Sequence, residues 1–130
     1  MDLDDNELLQ HFEALDLPPH ALHHREKVRL AYAMLRDADF GEAAVRFRRG
    51  LKRFAEAAGA PTKYHETLTW AYLAVVNQRM SEGATASSQE LIARHPDLLD
   101  PVAALAPYYD VAATLASPLA RRVFVLPGRP

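Results

Sequence analysis

The chain has 130 residues, 49% apolar and 25% charged, with fifteen basic residues against seventeen acidic ones and no cysteine. Those proportions suit one domain with a buried core, and they exclude a disulfide framework, a thiolate metal site and a cysteine nucleophile. A net charge of −2 is too balanced to point to nucleic acid or an anionic membrane, and no window approaches the roughly 18 apolar residues of a membrane span.

The periodicity is helical throughout. Asp4-Asp5-Asn6-Glu7 caps a first helix carrying Leu8, Leu9, Phe12 and Leu15, which Pro18-Pro19 is expected to end. The second helix starts between His20 and His24 and runs to about Arg36, with His24, Val28, Ala31 and Leu35 on its inward stripe. Asp39-Phe40-Gly41-Glu42 opens a third helix, whose Phe40, Phe47 and Phe54 recur every seven residues. Gly59 is placed at its C′ position and Pro61 in the first turn of a fourth helix, which is apolar on most sides and therefore central.

Gly83 stops the fourth helix, and Ser87-Ser88-Gln89-Glu90 caps a short one ending at His95-Pro96. Asp100-Pro101 and Ser117-Pro118 pair a cap with Pro at N1, so two more short helices are expected. The segment from Phe124 to Pro130 is either extended, packed through Phe124 and Leu126, or disordered. No strand pair with a hairpin turn occurs, so the predicted class is all-α.

The predicted architecture is a bundle of four core helices, about 22–36, 39–58, 61–81 and 84–95, read as two packed αα-hairpins. An N-terminal helix and a helical tail from about 97 to 130 complete one domain, with the core at about 20–96. Glu26, Ala31 and Tyr32 match Glu66, Ala71 and Tyr72 at an offset of 40, a weak internal repeat. The acidic start, Met1 to Asp5, has no apolar signal region, and the expected location is cytoplasmic.

Chemistry concentrates in Leu22-His23-His24-Arg25-Glu26 and Lys63-Tyr64-His65-Glu66-Thr67. Both lie near N-terminal helix ends that the two-hairpin arrangement puts at the same end of the bundle. One reading is a divalent metal such as Zn or Fe held by His20, His23, His24 and His65. There is no HExxH and no Glu-x-x-His, and His65 and Glu66 diverge by about 100° on a helix, which weighs against it. A second is a metal-free pocket with His65 as acid or base, His24 across from it, and Tyr64 and Glu66 in support. The third is structural: histidines capping helix ends or joining buried hydrogen bonds.

Arg46, Arg48, Arg49, Lys52 and Arg53 read as a solvated face rather than a phosphate site. Trp70 and Tyr72 read as core, and His11 and His95 as exposed. No Gly-rich phosphate loop, nucleophile elbow or Ser–His–Asp arrangement is present.

The two segments, with Tyr108-Tyr109, Ser117, Ala120-Arg121 and Phe124 after them, make the chain similar to a family of small bacterial helical proteins of unassigned function. That likeness covers the chain from about Pro18 onward and implies which residues to watch, not a reaction. The family often has a second histidine three residues after the one at position 24. Here it is Lys27, which as an ammonium cannot ligate a metal.

The function expected is a helical protein with a His/Tyr/Glu pocket for a small ligand, catalytic or metal-dependent. The alternative is a tetratricopeptide-like interaction module without catalysis, favoured by Asp39 to Phe47 but not by the 40-residue offset. A homodimer through the Phe40/Phe47/Phe54 stripe or the late helices fits either.

Overall fold

Side-chain caps punctuate almost every helix. In the computed structural model, which describes residues 3–128, eight α-helices and two 3-10 turns succeed one another, and no described residue lies in a strand. The helices are α1 (Asp5–Glu13), α2 (His24–Asp37), α3 (Phe40–Ala57), α4 (Glu66–Met80), α5 (Ser88–Arg94), α6 (Pro101–Leu105), α7 (Val111–Ala116) and α8 (Pro118–Arg122). Asp4, Asp39, Ser87, Asp100, Asp110 and Ser117 each accept a hydrogen bond from a first-turn amide, so six helices begin where a short polar side chain satisfies an orphan N–H.

Helices α2 and α4 are the two axes of the bundle. Val28, Leu30, Ala31, Tyr32, Ala33 and Met34 are all buried on α2, around which α1, α3, α4 and α5 pack. Thr67, Ala71, Tyr72, Leu73, Val75 and Val76 are buried on α4, which meets α2, α3 and the C-terminal α6, α7 and α8. The all-α bundle is therefore observed, with α4 central as its apolar composition requires. The partners of α4 differ from a plain second hairpin: α5 is only seven residues long and rests on α2.

Local chemistry shifts two expected boundaries. Helix α1 stops at Glu13, well before Pro18: Leu15 takes a left-handed φ of 58°, and the Asp16 amide donates to His11 O at 3.1 Å. That C-terminal lock closes the helix although a left-handed non-glycine residue costs roughly 1–2 kcal/mol. Pro61 opens a separate 3-10 turn, Pro61–Lys63, and Tyr64 and His65 are extended, so α4 starts at Glu66. Gly59 does occupy the left-handed position after α3, with φ 73°. The short helix α7, capped by Asp110, is absent from the sequence reading.

The 40-residue repeat does not align the helix starts. Glu26 is the third residue of α2, whereas Glu66 is the first of α4.

The C-terminal segment is extended and pinned to α4 by Thr67. This buried hydroxyl reaches the carbonyls of Ala120 at 2.7 Å and Val123 at 2.8 Å, and accepts the Val125 amide at 3.0 Å. Tyr109 Oη donates to Val125 O at 2.8 Å. Phe124 and Leu126, expected to do the anchoring, are exposed. Arg129 and Pro130 lie outside the described residues, as do Met1 and Asp2. Gly50 completes the packing of α3 on α1, because the Phe12 ring occupies the space a Cβ there would need. No helix among the described residues is long and apolar enough to cross a membrane.

Candidate functional site

The His-rich turn and the Lys-Tyr-His run both contribute to one cavity of about 720 Å³ between α2, α3, α4 and the C-terminal helices. Its floor and walls are apolar: Phe47, Leu51 and Phe54 from α3, Leu68 from α4, and Leu105, Val111 and Leu115 from the C-terminal part. The polar lining consists of His20, His24, Lys27, Lys63, Tyr64, His65, Thr69 and Tyr72. The volume is that of an ordinary small-molecule site, and an apolar wall with few polar groups is its usual composition.

His65 is not free to act as acid, base or metal ligand. It is the N-cap of α4, where Nδ1 accepts the Leu68 amide at 3.2 Å. Nε2–H donates to Thr114 O at 2.9 Å, tying α4 to α7. Both ring nitrogens are thus committed in one neutral tautomer, and burial holds the ring's pKa below the usual histidine value. The structural reading applies to this residue.

Glu66 also departs from its expected role. Its carboxylate is gripped by Arg48 Nε at 3.0 and 3.1 Å and accepts Tyr64 Oη–H at 2.6 Å. It faces a smaller cleft with Arg48, Lys52, Arg121 and Arg122 and does not line the cavity with His65. Adjacent residues at a helix start diverge, and that divergence separates the two. Tyr64 lines both spaces, its phenol made harder to ionise by burial and by the Glu66 carboxylate.

His24 is the first residue of α2. Its Nε2–H donates to Leu98 O at 3.0 Å, a carbonyl that also accepts Tyr72 Oη–H at 2.6 Å, and the two rings meet edge to face at 4.8 Å. Burial, then the charge of Lys27, lower the pKa of His24 against the upward pull of Leu98 O and Asp100. His20 stands exposed on the cavity rim. His23 is exposed at the α2 N-cap, its amide donating to Glu26 Oε1 at 3.0 Å, and takes no part in the cavity lining.

The ligand set His20, His23, His24 and His65 therefore does not assemble. Among the described residues no group of three or more His, Cys, Asp or Glu is arranged to hold a metal ion.

The residue that sets the cavity's character is Lys27. It is half-buried in the wall one turn after His24, and it makes no ion pair among the described residues. Burial first, and the nearby charge of Lys63 second, lower its pKa from the ordinary lysine range. Two of the chain's three lysines thus line one cavity whose lining contains no Asp or Glu. A signal for Lys27 exists in the sequence. Position 27 falls on the inward stripe of residues 24, 28, 31 and 35, where an unpaired ammonium is out of place.

Compared with protein-family descriptions, with curated proteins and with solved structures, the chain matches none.

Proposed function

We propose that the protein binds a small ligand with an apolar body and an anionic head, the body lying on Phe47, Leu51, Phe54 and Leu68. The head sits between Lys27 and Lys63. The single observation that carries this reading is the pair of lysines in a cavity lining without a carboxylate. A half-buried ammonium without a counter-charge is costly, and an anion from outside supplies what the chain does not. Burial in an apolar wall then strengthens the attraction, since charge pairs screened from water interact more strongly than exposed ones.

The test is titration calorimetry with octanoate and with octanol, which share an apolar body and differ in charge. Octanoate is expected to bind at one site, and octanol at least about tenfold more weakly, the loss of one charge-assisted contact. Equal affinity for the two, or no binding of octanoate, would sink the reading.

A further inference from the structure

An alkylammonium in water keeps its proton up to about pH 10, so a lysine that reacts with carbonyl groups needs an environment that disfavours its charge. Lys27 has one. Its side chain is half-buried in an apolar wall, no carboxylate lines that cavity, and Lys63 adds a like charge. His24 lies one turn earlier on the same wall. With Nε2–H held by Leu98 O, the neutral His24 ring keeps a basic lone pair at Nδ1. No other lysine combines these features: Lys63 is exposed, and Lys52 lies over the Tyr64 ring and lines the smaller cleft, not this cavity.

We propose that Lys27 forms an imine with an oxo acid, an apolar molecule bearing both a carboxylate and an aldehyde or ketone. This rests on the anionic-ligand reading above and adds a reactive carbonyl to it. The Lys27 Nζ lone pair forms a C–N bond to the carbonyl carbon while the C=O π pair moves onto oxygen. The proton lost by nitrogen passes through His24 to that oxygen, giving a carbinolamine. The second N–H proton follows the same route to the hydroxyl, the nitrogen electron pair forms the C=N bond as the C–O bond breaks, and the oxygen leaves as water. No oxidant or reductant enters. In this complex the carboxylate rests on Lys63 alone, because Lys27 attacks only as the uncharged amine, and Lys27 and His24 are the catalytic residues.

The experiment uses 4-formylbenzoate, an apolar ring with an aldehyde and a carboxylate, with cyanoborohydride at neutral pH to reduce any imine to a stable amine. Peptide mapping then reads the labelling rate at Lys27, Lys52 and Lys63 of the wild-type chain, so no variant has to fold. Lys27 is expected to be labelled at least about tenfold faster than Lys52, because only Lys27 shares its cavity with a carboxylate-binding lysine and a basic ring that position and activate it. In Lys63→Met, the preference for 4-formylbenzoate over benzaldehyde at Lys27 is expected to fall. Labelling of Lys27 no faster than Lys52 overturns the inference. If octanoate still binds in that case, only the imine falls; if octanoate binding is absent as well, the anionic-ligand reading falls with it.

Discussion

His65 shows how one side chain can look catalytic in a sequence and be structural in the fold. Capping α4 with Nδ1 and holding α7 with Nε2–H uses the ring in its neutral form only. An unfolded chain takes up a proton at this residue near the ordinary value of 6.5, whereas the folded ring resists until lower pH. Between those two values the unfolded state binds more protons. Stability is therefore full above about pH 6.5 and declines as the pH falls below it. His24 acts in the same direction. His65→Ala is expected to lose about 0.5–2 kcal/mol at neutral pH, as cap removals do. Its decline below about pH 6.5 should be shallower than that of the wild type in urea melts. Unchanged stability with a parallel pH profile would mean that the ring holds nothing. At Lys27 the lesson is the reverse. A lysine on the inward stripe of a helix looks like a misfit in the sequence, yet with Lys63 it gives the cavity its charge.

At the scale of elements, local chemistry is the most legible. The caps at Asp4, Asp39, Ser87, Asp100 and Ser117 can be read directly, because each side chain bonds an amide only two or three residues ahead. The start of α4 is less so. Pro61 suits a first helical turn, but the chain uses it for a 3-10 turn and leaves capping to His65, a residue type that is rarely read as a cap. The end of α1 is masked in the same way, since Leu15 in a left-handed conformation carries none of the usual glycine signal.

Gly50 is an element-scale feature with a measurable consequence. Replacing glycine by alanine inside a helix ordinarily gains about 1 kcal/mol. Here the new methyl group would enter the ring of Phe12, which is buried against α3 and tilted against Phe54 at 6.3 Å. Overpacking of that kind costs about 1–3 kcal/mol, so Gly50→Ala is expected to be net destabilising by urea denaturation. A variant as stable as the wild type or more so would show that α1 can move off α3.

At the scale of the molecule, the cavity is made by contacts between segments far apart in the chain, which is why its outline is not visible in the sequence. Lys27 comes from α2, Phe54 from α3, Lys63 from the 3-10 turn, Leu68 from α4 and Leu115 from α7. Helical periodicity can assign each to an inward face, but it cannot say which inward faces leave space between them. The meeting of the His-rich turn with the Lys-Tyr-His run is legible from helix order; the absence of acidic residues from the lining is not. Thr67 has a comparable long-range role, since it fixes residues 120–125 against α4 and thereby supports α8, which packs on α7 beside the cavity.

The anionic-ligand claim stands on Lys27 and Lys63 acting together, and octanoate titrated into the chain carrying both Lys27→Met and Lys63→Met tests it most directly. Methionine keeps much of the apolar stem of each lysine and removes the charge, so the wall stays filled. Octanoate affinity is expected to fall about 10–100-fold relative to the wild type, the loss of roughly 1.5–3 kcal/mol for a charged hydrogen-bonding partner, while octanol affinity stays the same. Equal octanoate affinity in the two chains, with the variant folded by circular dichroism, would contradict the assignment of this cavity to an anion.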